Sequence, residues 1–129
     1  MIYIALFSWL LIVGAWIWID WFQIVKLKRD INHLVELIIR GGCVILYGGF
    51  VFDAQPGMQG VWVMLYQVTS FYLVFEIGLN LARSLSWDYL GNSAGLDRFL
   101  YTRRPLFYLL KLASLAGAIY SAIKLVQYS

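Results

Sequence analysis

The sequence predicts an all-α integral membrane protein: four transmembrane helices in an antiparallel bundle, with a short interfacial helix between helices 3 and 4. Three observations lead there. Of 129 residues, 62% are hydrophobic and 13% charged, against about 45–50% and about 25% in soluble domains; mean hydropathy is +0.75. The apolar residues gather in four runs near the ~20-residue length that crosses a ~30 Å hydrocarbon core. The basic residues collect in two of the three connections and avoid the other, as the cytoplasmic loops of polytopic membrane proteins do.

The first run, Met1–Ile19, carries no charged side chain. It lacks a basic leader and has bulky Trp16, Trp18 and Trp21 where a signal peptide would place small residues, so it is expected to be a retained span. The second, Leu34–Phe52, contains Glu36 and Arg40; the third, Val61–Ala82, contains Glu76; the fourth, Leu106–Val126, contains Lys111 and Lys124. With their flanks, the spans of this single domain, residues 1–129, are expected at about 1–22, 34–52, 61–83 and 106–127.

The first connection holds Lys26, Lys28 and Arg29, and the third holds Arg83, Arg98, Arg103 and Arg104. The second, Asp53–Gly60 with Pro56-Gly57, has no basic residue and has the chemistry of a tight turn. Basic loops stay cytoplasmic, so both termini are expected outside the cytoplasm of a bacterial inner membrane. Trp16, Trp18, Trp21, Phe22, Trp62, Trp87, Tyr89, Tyr120 and Tyr128 fall near the span ends, where amphipathic rings anchor at headgroup level. In the third connection Gly91-Asn92 is turn chemistry, and Ser93 is placed to cap a short helix over Ala94–Tyr101. Leu96, Phe99 and Leu100 would form its apolar face and Asp97 and Arg98 its polar one, an interfacial amphipathic arrangement. Pro105 suits the first turn of the last span. No internal repeat of the kind that builds inverted-repeat transporters is evident.

Charged groups at membrane depth are costly and tend to be paired or functional. Arg40 and Glu76 each lie six residues in from a cytoplasmic span end, roughly 9 Å, and Lys111 lies at about 8 Å. Glu36 precedes Arg40 by four residues, the favourable order on a helix. Two acids and two bases at one depth predict a buried ionic cluster: Glu76 with Arg40 and Lys111, Glu36 beside Arg40, and Asn80 bridging. It would serve either as internal glue or as a polar path, or it would face a partner chain. Asp20 and Lys124 are expected to snorkel from span ends. His33 is expected to be a solvated boundary residue. Gly41-Gly42 and Gly48-Gly49 put small patches seven residues apart on the second span, suited to close helix packing within the chain or between copies. The last span is rich in small residues as well (Ala113, Ser114, Ala116, Gly117, Ala118, Ser121, Ala122).

No nucleotide loop, HExxH, GxSxG or CxxC motif is present. The lone Cys43 allows no intramolecular disulfide, and in its apolar setting it is expected to be an inert thiol. With one histidine and one cysteine, no cofactor or metal site is expected, and no catalytic residue is assigned. A net charge of +3 and a pI near 9.1 suit anionic headgroups better than nucleic acid.

The stretch Phe75–Leu100, FEIGLNLARSLSWDYLGNSAGLDRFL, resembles a segment of small uncharacterised membrane proteins of Bacteroidota and their phages. An acid, an Asn and an Arg stand at the end of an apolar helix (Glu76, Asn80, Arg83). A WDYLG turn follows (Trp87, Asp88, Tyr89, Leu90, Gly91), then a D-[RK]-F element (Asp97, Arg98, Phe99). The match covers about a fifth of the chain. It implies no defined activity, but points to a phage-encoded protein with a lysis or virion-membrane role.

Three functions are compatible with these features. The leading expectation is a non-catalytic, homo-oligomeric structural or pore-forming subunit, holin-like in size and charge. The second is an accessory subunit of a larger membrane complex, docking through the Ser84–Pro105 loop with Trp87, Asp88, Tyr89 and Arg98. The third is a small ion- or proton-coupled transporter using Glu76 with Arg40 or Lys111. The partners expected are lipid and either further copies or another membrane protein.

Overall fold

The computed structural model describes residues 1–28, 33–53, 57–90 and 95–129. Among these the regular structure is entirely helical: α1 (Ile2–Trp21), α2 (His33–Phe50), α3 (Met58–Ala82), α4 (Gly95–Thr102) and α5 (Arg104–Tyr128). Three helical segments, Ile2–Lys26, Met58–Ala82 and Arg104–Tyr128, are long and apolar enough to cross a membrane. The shorter α2 is not among them. At 18 residues, it includes Glu36 and Arg40.

α1 does not stop where the apolar run ends. A π-turn over Phe22–Lys26 prolongs it, with the Leu27 amide bonded five residues back to Phe22 at 3.1 Å. Asp20 therefore lies within a helix rather than opening a connection. Its position has a simple geometric cause: Ala5, Trp9, Val13 and Asp20 recur at helical spacing, and all four are buried.

α3 is the hub. It packs most extensively against α5 and α1, which also touch each other, while α2 meets it over a shorter length. The main core joins Ala5, Trp9 and Val13 of α1 to Val63 and Tyr66 of α3, Leu125 of α5, and Phe52 just beyond α2. Hydroxyls and an indole tie these helices at depth. The Trp9 Nε1–H donates to Ser70 Oγ at 3.1 Å, and the Tyr66 hydroxyl donates to the Leu6 carbonyl at 3.0 Å. Ser8 and Tyr47 bond to each other across α1 and α2. In an apolar solvent such bonds contribute about 0.6–2 kcal/mol each.

Helix ends follow from local chemistry. α3 closes in a Schellman motif: the Leu85 amide bonds the Asn80 carbonyl at 2.9 Å and the Ser84 amide bonds the Leu81 carbonyl at 3.0 Å. Ser84 takes the left-handed conformation this requires, with φ 59°. α3 starts three residues ahead of the apolar run, after Gly57 at φ 114°. Pro105 occupies the first turn of α5, as its fixed φ suits. The interfacial helix expected at Ala94–Tyr101 is α4, one residue later; Gly91, Asn92 and the proposed cap Ser93 lie outside the described residues. So do Arg29 and Pro56 and, as side chains, His33, Leu96 and Asp97. Leu90, Leu100 and Phe107 form a second, smaller core where α4 meets the start of α5.

Candidate functional site

The ionisable residues at depth form two sites, not the single cluster expected from matched depth. Between α3 and α5, the Lys111 ammonium donates to Glu76 Oε2 at 2.6 Å. Lys111 is only 5% exposed. Its ammonium lies 4.7 Å from the Phe107 ring centre and 5.4 Å from that of Tyr72, within the range at which an aromatic face attracts a cation.

Between α1 and α2, Arg40 is held by two acids. Its Nη2 reaches Asp20 Oδ2 at 2.5 Å and Glu36 Oε2 at 3.1 Å. Glu36 is the expected helical neighbour. Asp20 is a correction: it does not snorkel from a span end but is 2% exposed and is the closest partner of Arg40. Arg40 thus pairs with Asp20 and Glu36, not with Glu76. Aromatic rings stand where that contact was expected. The guanidinium lies 4.5 Å from the centre of Phe75, 5.8 Å from Phe71 and 5.4 Å from Trp16, and Phe71 and Phe75 stack on each other. Arg rather than Lys suits this place, since its planar head takes a ring face and a carboxylate together.

Asn80 does not bridge the ions either. Its Nδ2 donates to the carbonyls of Tyr89 at 2.9 Å and Trp87 at 3.3 Å, so it ties the loop after α3 back onto the helix. Two side chains of α5 hold the same loop: Arg104 Nη1 donates to the Asp88 carbonyl at 3.0 Å, and the Tyr108 hydroxyl to Asp88 Oδ2 at 2.7 Å. The Tyr108 hydrogen bond, with help from Ser86 and Arg104, holds the Asp88 carboxyl below the usual carboxylate range. Trp87 and Tyr89 remain 49% and 43% exposed at this end, and Arg98 is exposed on α4.

The glycines of α2 divide. Gly48 is packed: a Cβ there would lie 3.0 Å from Gln67 Oε1 and 3.4 Å from Val63 of α3. A Cβ at Gly41, Gly42 or Gly49 would meet nothing within 4 Å. Gln67 is a buried polar residue that sequence reasoning passed over. The signal was an amide near the middle of the third apolar run. For Asp20 the signal was its register with Trp9 and Val13.

Chemically, Lys111 and Glu76 neutralise each other, and Asp20 and Glu36 share one guanidinium. Asp20 Oδ1 has no hydrogen-bond partner. Among the described residues no group of three or more His, Cys, Asp or Glu is arranged to hold a metal. Comparison with family models, curated proteins and solved structures gives no match. The resemblance over Phe75–Leu100 therefore rests on the residues quoted for it.

Proposed function

We propose that the chain crosses the membrane four times, with α2 as the fourth span, and acts as a non-catalytic structural or pore-forming subunit built from several copies. The positive-inside distribution puts both termini outside the cytoplasm. The observation that carries the reading is the open glycine surface of α2. Gly41, Gly42 and Gly49 have no neighbour within 4 Å of an added Cβ, although small residues on a membrane helix serve close helix–helix approach. The ion pairs support it by binding α1 to α2 and α3 to α5, which gives each copy a fixed shape to assemble. A holin-like role in a phage setting belongs to the same reading. Light scattering of the purified protein in nanodiscs of increasing size tests it. A defined multimer is the expected result, and a monomer at every protein-to-lipid ratio overturns it.

The Lys111–Glu76 pair favours a second reading, a proton-coupled transporter in which that pair opens and closes. It requires that Glu76→Gln in proteoliposomes abolish substrate-coupled proton movement; unchanged movement in that variant eliminates it.

A further inference from the structure

The fold gathers cations at one end of the molecule. Trp9 bonds Ser70 and Ile17 stands beside Gly78, so α1 and α3 run in one direction. Thr69 faces Gly117 and Glu76 binds Lys111, so α5 runs back against α3. The prolonged end of α1, the end of α3 and the start of α5 therefore lie together, and Lys26, Arg83 and Arg103 are all exposed there. Among the described residues none of the three is in an ion pair. The described acids of this half are engaged elsewhere: Asp20 and Glu36 with Arg40, Glu76 with Lys111, and Asp88 with Tyr108.

The level of these cations follows from their neighbours. α3 and α5 are each long and apolar enough to cross a membrane, and Leu81 and Leu106 carry their exposed apolar surface to this end. Arg83 follows Leu81 by two residues and Arg103 precedes Leu106 by three, a helical rise of roughly 3–5 Å. Both guanidiniums thus stand where hydrocarbon gives way to phosphate. Aromatic rings accompany the cations: the Arg103 guanidinium lies 4.4 Å from the ring centre of exposed Phe99, and the Lys26 ammonium 5.6 Å from that of Trp21. Rings with a polar neighbour favour headgroup level. We propose that this end binds acidic phospholipids, with their phosphates on Arg83 and Arg103 and Lys26 adding to the attraction. A guanidinium fork takes two phosphate oxygens at once. A zwitterionic headgroup brings its own cation to the site, whereas an acidic one leaves its charge to the protein. The inference requires that α3 and α5 cross the membrane and is independent of the number of copies.

Electron spin resonance of spin-labelled lipids in phosphatidylcholine bilayers holding the full chain tests this. Labelled phosphatidylglycerol should associate with the protein more strongly than labelled phosphatidylcholine. Salt at about 1 M, where screening acts within about 3 Å, should erase most of the difference. Arg83→Gln and Arg103→Gln should each lower the preference by up to about fivefold. Arg103→Lys should keep most of it, which separates charge from fold. Lys124→Gln removes a charge near the far end of α5 and should leave the preference unchanged. An equal loss in Lys124→Gln would mean that net charge alone is sensed, and it overturns the site. A parent protein with no preference for the acidic label overturns it too, and leaves the three cations to an acidic protein in the aqueous phase. Neither result touches the multi-copy reading, which light scattering decides.

Discussion

α1, α3 and α5 form one unit, and α2 is attached to it; the difference lies in how each is held. The three long helices bury Trp9, Val13, Val63, Tyr66 and Leu125 together and add the Lys111–Glu76 bond inside their contact. α2 gives that core Gly48 and contacts from Val44 and Tyr47. It is otherwise fixed by one arginine and a few polar bonds. In a membrane the hydrophobic effect does not favour helix against helix over helix against lipid. A helix with little shape complementarity then depends on specific polar contacts, and Arg40 supplies them for α2.

That contrast can be broken from the core side first. Lys111→Ala leaves Glu76 unpaired at depth, and thermal unfolding in detergent should show a loss of about 3–5 kcal/mol. Adding Glu76→Leu to Lys111→Met should restore most of it, because a matched apolar pair needs no counter-charge. From the peripheral side, Asp20→Ala should cost less, about 1–3 kcal/mol, as Arg40 keeps Glu36 and its rings. The distribution of the effect matters more than its size. Hydrogen exchange should rise along α2 and leave α3 and α5 protected; uniform loss of protection would mean that α2 belongs to the core after all.

Glycine substitutions sharpen the comparison at smaller amplitude. A Cβ at Gly78 would lie 2.5 Å from Ile17 Cδ1, the mobile end of a side chain on α1. Gly78→Ala should therefore destabilise by about 1 kcal/mol. Gly41→Ala on α2 meets nothing and should stabilise by about 0.5–1 kcal/mol through helix propensity. Chemical denaturation of the two variants side by side checks both signs.

The smallest effect concerns the loop pinned to the head of α5. Because the folded chain holds the Asp88 carboxyl below its ordinary range, folding favours the ionised form. That contribution is complete above the unfolded value near about pH 4 and disappears as pH falls through the lower folded value. Amide exchange over residues 85–90 should thus accelerate only at acid pH. Asp88→Asn should remove the acid dependence.

Much of the architecture was legible because apolar run length and Pro105 act locally. The Glu36–Arg40 and Glu76–Lys111 contacts were legible too, the first from helical spacing and the second from equal depth. Depth alone misjudged Arg40, since it fixes height but not azimuth: Arg40 pairs with Asp20 of α1, and on α3 its guanidinium meets the Phe71 and Phe75 rings. Asp20 was misread because a charge at the end of an apolar run ordinarily meets water. Only the register of α1 with its buried face reveals the opposite. Asn80 was placed among the ions, but the backbone it binds belongs to a turn whose path no periodicity encodes.

The π-turn that follows Trp21 has a last consequence. A five-residue hydrogen-bonded ring holds one residue more than ordinary helical winding requires, so this stretch works as a spacer ahead of the basic connection. Shortening it by one residue would return the turn to ordinary winding and keep the residues beyond it in register with Trp9, Val13 and Asp20 upstream. The surplus residue is thus taken up inside a single turn, and the inward stripe of α1 is set by the residues upstream of it.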